Sequence, residues 1–205
     1  MNKKELELVL SQLKGFVDPK VKLEQISTSV DVASDALWKI NSNRHVKGKT
    51  IADLGSGTGI FGLGALLLGA RKVYFVEYDE EAIKVAKENF KKIKKLMGKK
   101  YNAEFLNIDV KDFKKKVAVV VQNPPFSNKE THSDKLFLIK AMEIGKLIYS
   151  FHKLKTKNFV DDFVDENGFK VFDFVRYKFP IKQDLIFGLS TIKHLKIGFW
   201  CMKKR

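Results

Sequence analysis

The sequence predicts an α/β fold in which N-terminal helices precede a doubly wound, mostly parallel sheet. Short apolar segments of strand length alternate with longer amphipathic segments from residue 50 onward, a pattern typical of parallel strands joined by helices. A glycine-rich loop follows the first of these strands, and a Pro-Pro pair follows the fourth. Both loops are therefore expected at the carboxyl edge of the sheet, where folds of this class bind ligands.

Two amphipathic helices are expected before the sheet. Apolar residues recur with helical spacing from Leu6 to Leu13, and Gly15 stands where the first helix would end. The same spacing from Val32 to Ile40 predicts the second helix. We treat residues 1–205 as one domain, with an N-terminal helical segment at 1–45 and an α/β core at 46–205.

Strands and helices alternate through the α/β core. The apolar runs predict its first four strands, at 50–54, 72–77, 102–107 and 117–122. Helices are expected between and after them, at 59–68, 79–97, 136–151 and 157–166. Asn167 and Gly168 would end the last helix, and two further strands are expected at 169–179 and 194–202.

The net charge of the chain points to a polyanionic partner. The 39 Lys and Arg residues exceed the 24 Asp and Glu residues, which gives a net charge of +15, and such a surface attracts phosphate backbones. Lysines cluster at 91–95 and 114–116. The alternative is the solvated, lysine-rich surface of heat-adapted proteins, but Glu normally rises together with Lys there. Nucleic acid is therefore the favoured partner, and a small-molecule substrate is disfavoured.

Several classes of protein are excluded by what the chain lacks. The single cysteine, Cys201, excludes a disulfide framework and an all-cysteine zinc site within the chain. The four histidines form no cluster in sequence, so no metal site is expected. The first residues lack the apolar core of a signal peptide, and the apolar run at 60–70 is too short to span a bilayer. A cytoplasmic protein without a membrane partner is expected.

The glycine loop carries the first set of candidate site residues. Asp53 precedes Gly55, Gly57 and Gly59 in the sequence Asp-Leu-Gly-Ser-Gly-Thr-Gly, and glycines let a backbone turn tightly and approach a ligand closely. Glu77 ends the next strand, where a carboxylate is placed to accept hydrogen bonds from ribose hydroxyls. The alternatives are a purely structural turn for the loop and a solvated strand end for Glu77.

The spacing of these glycines differs from that of dinucleotide-binding proteins and resembles that of class I methyltransferases. The resemblance implies the seven-stranded, Rossmann-like methyltransferase fold and S-adenosylmethionine as cofactor. It also implies that Asp53 and Gly55 face the methionine part of the cofactor, that Glu77 faces the ribose, and that Asp109 meets the adenine amino group. The alternative for Asp109 is a turn cap, and Asp79 is expected to cap the following helix.

Asn123, Pro124, Pro125 and Phe126 form the second set of candidate site residues. Each proline lacks an N–H and has a fixed φ, so the segment is expected to be stiff, with carbonyls that have no local partner. The carboxamide oxygen of Asn123 and the carbonyl of Pro124 can accept two hydrogen bonds from one amino group and aim its lone pair at a methyl donor. Phe126 offers a face on which a base can stack.

The Asn-Pro-Pro-Phe sequence is similar to the signature of methyltransferases that act on the amino groups of adenine or cytosine or on glutamine amides. Its final Phe favours a nucleobase. Four other segments resemble the methyltransferase-like protein 5 family, which methylates adenine in small-subunit ribosomal RNA: residues 23–29, 127–138, 149–153 and 176–180.

This resemblance implies that Gln25 and Thr28 touch the cofactor, together with Gly55, Glu77, Asp109 and Asn123. It also implies an RNA substrate. Eukaryotic relatives need a small zinc-containing activator protein, and the sequence does not determine whether this chain needs one. The chain departs from the family at Ile26, Ser56, Thr58 and Glu77, and none of these departures removes a needed group. A glutamine-amide or DNA adenine methyltransferase and a non-catalytic RNA-binding scaffold remain as alternatives.

Overall fold

The computed structural model describes residues 1–17, 19–20, 25, 27–126, 133–184 and 190–205. Two segments of the family resemblance therefore lie partly outside the described residues. These are Leu23, Glu24 and Ile26 in the first segment, and residues 127–132 in the loop after the Asn-Pro-Pro-Phe turn.

The two N-terminal helices are present. Helix α1 (Lys3–Leu10) begins with a capping box formed by Asn2 and Glu5, and helix α2 (Val30–Ser42) packs against it. The prediction that the first helix extends to Gly15 is wrong, because α1 ends at Leu10. The buried side chain of Asn89 bonds to both the N–H and the carbonyl of Lys14, and a chain held in this way cannot continue the helix.

The α/β core is a seven-stranded sheet covered by helices. Its strands are β1 (Thr50–Leu54), β2 (Lys72–Glu77), β3 (Ala103–Asn107), β4 (Val117–Gln122), β5 (Gly145–Lys153), β6 (Phe169–Asp184) and β7 (Ser190–Lys204). Its helices are α3 (Ile60–Leu67), α4 (Glu80–Met97), α5 (Ser133–Ile144) and α6 (Lys157–Glu166). The strand order is β3-β2-β1-β4-β5-β7-β6; β1 to β5 are parallel, and β7 pairs antiparallel with both β5 and β6. The predicted fold class is confirmed.

The helix predicted at 136–151 is wrong over its second half. Helix α5 ends at Ile144, and strand β5 begins at Gly145. A Cβ at Gly145 would lie 2.7 Å from Cγ2 of Val120, so a glycine is required where β5 begins beside β4. Both faces of β5 are buried, and a continuous apolar run in such a strand cannot be distinguished from a buried helix by periodicity.

The hydrophobic core lies on both faces of the sheet. Helices α1 to α4 pack on one face and α5 and α6 on the other. Trp200 of β7 is fully buried and Trp38 is half-buried, as expected. None of the helices in the described ranges combines the length and the apolar character that crossing a bilayer requires.

We expect Gly62→Ala to destabilise the protein, because α3 approaches β2 too closely for a Cβ. That Cβ would lie 2.3 Å from the ring of Phe75, which is itself stacked on Phe105 with ring centroids 4.4 Å apart. Overpacking of this kind costs about 1–3 kcal/mol, against a gain in helix propensity of at most about 1 kcal/mol. The melting temperature, measured by differential scanning fluorimetry, should fall by roughly 2–6 °C.

Two further variants test this explanation. Phe75→Leu should recover part of the loss when it is combined with Gly62→Ala, because it removes the overlapping ring atoms. Gly15→Ala should leave the melting temperature unchanged, since its Cβ would approach no atom closer than 3.8 Å. Equal melting temperatures for wild type and Gly62→Ala would show that α3 can move away from β2 without a loss of stability.

Candidate functional site

A cavity of about 420 Å³ opens at the carboxyl edge of the sheet. The glycine loop, the end of β2, the loop after β3 and the Asn-Pro-Pro-Phe turn all line it. Segments 13–16 and 27–30 contribute residues from the N-terminal side. The two loops singled out in the sequence therefore meet at one cavity, and its volume is within the range of small-molecule sites.

The glycine loop has a backbone that only glycine adopts readily. Gly55, Gly57 and Gly59 have φ values of 65°, 51° and 89°, in the left-handed region. The rings of Phe137 and Phe16 approach the loop so closely that a Cβ at Gly55 or Gly57, respectively, would lie 2.9 Å from them. The loop therefore presents bare backbone to the cavity between two aromatic rings.

Glu77 joins the glycine loop to the end of β2. Its Oε2 accepts a hydrogen bond of 2.7 Å from the N–H of Gly57, and its Oε1 accepts one of 2.9 Å from the N–H of Asp79. Burial raises the pKa of this carboxyl, and the two N–H groups oppose that effect. Glu77 lines the cavity, and because a carboxylate has about four acceptor sites, it can still accept from a ligand hydroxyl.

Asp53 and Gly59 do not line the cavity, unlike the other members of the expected cofactor set. Asp53 is 1% exposed, and its Oδ2 accepts a 2.8 Å hydrogen bond from the N–H of Gly62. Gly59 is the N-cap residue of α3. Both residues therefore hold the start of α3 behind the loop, whereas we expected Asp53 to face the methionine part of the cofactor.

Asp109 both caps a turn and lines the cavity. Its Oδ1 accepts a 2.9 Å hydrogen bond from the N–H of Lys111 at the start of the short 3-10 turn Val110–Asp112. Its Oδ2 lies 3.3 Å from the ammonium of Lys111. The turn-cap alternative is thus realised, and the predicted contact with an adenine amino group stays a prediction.

Asn123 presents an unused acceptor inside the protein. Its Nδ2 donates a 3.0 Å hydrogen bond to Oγ1 of Thr28. Its Oδ1 is buried, without a hydrogen-bond partner among the described residues. A buried acceptor without a partner costs about 1–3 kcal/mol, and an amino group bound in the cavity would supply the missing donor. Thr28 thus holds the carboxamide through its amide nitrogen, which leaves Oδ1 as the acceptor on the other side.

The remainder of the Asn-Pro-Pro-Phe turn is held from the neighbouring strand. Pro124, Pro125 and Phe126 line the cavity, but Phe126 is only 5% exposed, and its ring meets Phe179 edge-on. The carbonyl of Phe126 accepts a 2.6 Å hydrogen bond from Nζ of Lys153, at the end of β5. Sequence reasoning missed this contact, because 27 residues separate Lys153 from Phe126.

Asp79 binds two residues of the N-terminal segment, Lys20 and Gln25. Lys20 and Gln25 each donate a 2.6 Å hydrogen bond to its carboxylate, and Asp79 also caps α4, as predicted. Oε1 of Gln25 accepts from the N–H of Lys20. Gln25 lines the cavity, but its carboxamide is already used on both sides, so its predicted contact with a cofactor stays a prediction.

A buried polar chain lies next to the acceptor turn. Gln122 donates to Ser150, whose hydroxyl lies 2.7 Å from Nε2 of His152. Burial lowers the pKa of His152 to about 4, so the ring is neutral at pH 7. We expected a structural histidine in a helix; it is buried as expected, but in strand β5. Across the described part of the chain, no three His, Cys, Asp or Glu side chains form a group that could hold a metal ion.

Comparison with known proteins identifies relatives over most of the chain. The family model of the methyltransferase small domain matches residues 26–143. The rRNA N(6)-adenosine-methyltransferase METTL5 of Danio rerio is 33% identical over 172 residues, which cover 78% of each chain. An uncharacterized protein of Methanocaldococcus jannaschii is 36% identical over 177 residues, covering 83% of this chain and 80% of the relative. The crystal structure of PH1948 from Pyrococcus horikoshii, described as a candidate RNA methyltransferase, matches 99% of both chains with a TM-score of 0.87 and 38% identity.

Burial of Asp53 makes the stability of the ligand-free protein depend on pH. Burial raises the pKa of Asp53 from 3.8 to about 7, so the folded state binds a proton that the unfolded state releases. The free energy of unfolding should therefore fall as pH rises from about 4 to about 7. Asp53→Asn keeps an acceptor for Gly62 and cannot ionise. It should raise the melting temperature by several degrees at pH 8 and by much less at pH 4.5.

Asp173→Asn is the matched control for this measurement. The hydrogen bond from Lys39 lowers the pKa of Asp173, so its loss should reduce stability at pH 8, the opposite sign from Asp53→Asn. Melting curves from pH 4.5 to 8.5 without cofactor distinguish the two. If Asp53→Asn lowers the melting temperature equally at every pH, the carboxylate is charged in the folded protein.

Proposed function

The chain belongs to the methyltransferase small domain family, and on that premise we propose that it transfers a methyl group from S-adenosylmethionine to N6 of an adenine in small-subunit ribosomal RNA. A named relative, the Danio rerio protein, is an rRNA adenosine N6-methyltransferase. The net charge of +15 supports a polyanionic substrate, and the Phe that ends the acceptor turn favours a nucleobase.

The observation that carries the proposal is Oδ1 of Asn123, which is buried and has no hydrogen-bond partner within the described part of the chain. An adenine amino group has two hydrogens, and Oδ1 of Asn123 and the carbonyl of Pro124 would accept one each. Both hydrogens would then be held in the turn, and the nitrogen lone pair would point toward the methyl donor. Because Thr28 and the two prolines hold these acceptors in place before the substrate binds, little reorganisation is needed in the transition state.

The cavity suits S-adenosylmethionine, which supplies the electrophilic methyl group. The glycine loop, Phe16 and Phe137 line part of a cavity whose volume of about 420 Å³ is that of a small-molecule site. We propose that the free lone pairs of Glu77 accept from the ribose hydroxyls and that Asp109 accepts from the adenine amino group of the cofactor. Gln25 and Thr28 would border the same ligand from the N-terminal segment.

Other substrates with a planar amino group fit the same acceptors. A glutamine amide and a DNA adenine each offer two N–H donors on one nitrogen, so the geometry of Asn123 and Pro124 does not separate them from RNA. Labelled S-adenosylmethionine, incubated in parallel with ribosomal subunits, DNA and a glutamine peptide, separates them directly. N6-methyladenosine in digested small-subunit RNA is the expected product, and label in any other substrate would contradict the proposal.

We also propose that a small zinc-containing activator protein binds at the edge of the sheet. Strand β3 is an edge strand paired only with β2, and the side chains of its first four residues are half-buried. An edge strand leaves backbone donors and acceptors unpaired, and a partner strand can add to them. The support for this partner is the family resemblance together with that edge.

Asn123→Ala is expected to lower the rate of the methyl-transfer step about 100- to 1,000-fold, the usual cost of losing one preorganised group that acts in the transition state. Cofactor affinity should be largely unchanged. Asn123→Asp keeps acceptors but adds a charge, and it should be impaired less than Asn123→Ala. Thr28→Val removes the hydrogen-bond partner of Asn123 but leaves the carboxamide itself, and it should have the smallest effect on the rate.

Single-turnover rates on ribosomal RNA, together with cofactor titration by calorimetry, measure these variants. Thr28→Val should be rescued partly by high cofactor concentration, because Thr28 also borders the cofactor, whereas Asn123→Ala should not. A wild-type rate for Asn123→Ala would remove the carboxamide from the mechanism, whatever the fold.

Glu77→Ala should weaken S-adenosylmethionine binding by about 1–3 kcal/mol, the value of hydrogen bonds to a charged group. The variant loses both the proposed ribose contact and the bond that holds Gly57 in place. Glu80→Ala, an exposed acid three residues away, is the control and should bind normally. Equal affinities for the cofactor in wild type and Glu77→Ala, measured by calorimetry, would exclude Glu77 from the cofactor site.

A further inference from the structure

A second cavity, of about 510 Å³, lies at the carboxyl end of β5. The described residues that line it are Lys153, Leu154, Lys155, Leu195 and Lys196. None of them lines the first cavity, which contains the glycine loop and Asn123. In the reaction proposed above, neither the cofactor nor the substrate amino group contacts them. Its walls combine ammonium groups with two aliphatic side chains.

This second cavity adjoins the acceptor turn through one side chain. Nζ of Lys153 donates a 2.6 Å hydrogen bond to the carbonyl of Phe126, so Lys153 is at once a wall of the cavity and a support of the turn. The strands enforce this proximity, because β4 and β5 are parallel and Gln122 is paired with Ser150. A polymer with one unit bound at Asn123 would place a neighbouring unit within reach of this cavity.

The lysines here lack the carboxylate partners that lysines have elsewhere. Lys39, Lys140 and Lys157 each form an ion pair with an acid. Lys155 and Lys196 are exposed, and among the described side chains neither is ion-paired. Their charge is therefore available to an anion from solution.

A second lysine lies close to Lys196 and increases the local positive charge. Lys178 of β6 lies directly opposite Lys196 of β7 in the antiparallel register, so their side chains share one face of the sheet. Like charges in such positions repel each other and destabilise the pairing. A bound phosphate would relieve this repulsion, whereas an apolar or cationic ligand would not.

We propose that this cavity, the lysine subsite, binds a nucleotide that neighbours the target adenosine in the RNA substrate. Lys155 and Lys196 contact its phosphate, Leu154 and Leu195 contact its base, and Lys153 links the occupied subsite to the acceptor turn. The subsite rests on the proposed function and extends it, since it explains how a strand is held while one base enters the catalytic cavity.

The test compares two double variants with the same change in net charge. Lys155→Glu with Lys196→Glu alters the subsite. Lys146→Glu with Lys170→Glu, the control, alters two exposed lysines near the first residues of β5 and β6, whereas the subsite lies at the last residues of β5. RNA affinity is measured by fluorescence anisotropy on small-subunit ribosomal RNA fragments over a range of salt concentrations. Methyl transfer is measured on the same RNA, and melting curves and cofactor titration verify that each variant folds and binds S-adenosylmethionine.

The subsite variant should lose RNA affinity about 10- to 100-fold and its log–log salt slope should decrease by about two, one for each phosphate-contacting lysine lost. The control should lose at most a few-fold, and both should bind cofactor as wild type does. Leu154→Ser should weaken RNA binding about threefold to fivefold without changing the salt slope, because it removes an apolar contact and no charge.

The outcomes separate the subsite from the proposed function. If the wild type methylates ribosomal RNA and the two lysine pairs reduce affinity equally, the subsite is refuted and the proposed function stands. If the wild type methylates no adenine in ribosomal RNA, the proposed function fails and the subsite fails with it. If only the subsite variant loses affinity while Leu154→Ser binds as wild type does, the phosphate contact stands and the base contact is refuted.

Discussion

The parallel pairing of β1 with β4 is the constraint on which the site depends. Leu54 and Gln122 are partners in this register, so the two strands end side by side at the same edge of the sheet. The glycine loop leaves from one strand and Asn123 from the other. A cofactor bound at the first loop and an amino group bound at the second would therefore lie next to each other. The pairing of the two strands is sufficient to bring them together.

The polar groups around the cavity are mostly engaged with one another before any ligand binds. Glu77 holds the backbone of Gly57, Asp109 caps a turn, and Asp79 binds Lys20 and Gln25. Such contacts fix side chains in place, which is what a site that acts by orientation requires. The carboxamide oxygen of Asn123 differs from these carboxylates, because it is buried and has no hydrogen-bond partner among the described residues; the hydroxyls of Ser29 and Ser56 in the same cavity share this property.

The positive charge is distributed unevenly over the surface of the protein. Several lysines are neutralised by carboxylates, as Lys39 is by Asp173 and Lys72 is by Glu104, so the net charge of +15 is concentrated on those that are not. Unpaired lysines at the carboxyl end of β5 place part of this charge beside the acceptor turn. A polyanion attracted by the whole surface would thus be drawn toward the catalytic cavity.

Local sequence determined the elements whose signals are local. The apolar runs of β1, β2 and β4 gave their bounds correctly, and the glycine loop and the Asn-Pro-Pro-Phe turn were found because their backbones need glycine and proline at those positions. Only the tertiary structure decided that residues 145–153 form a strand, since a run buried on both faces has the same composition in a strand as in a helix. It also decided that Asp53 is buried against the N–H of Gly62, that Thr28 holds Asn123, and that Lys153 supports Phe126. These contacts join residues far apart in the chain, and their geometry depends on the order and register of strands, which no local pattern specifies.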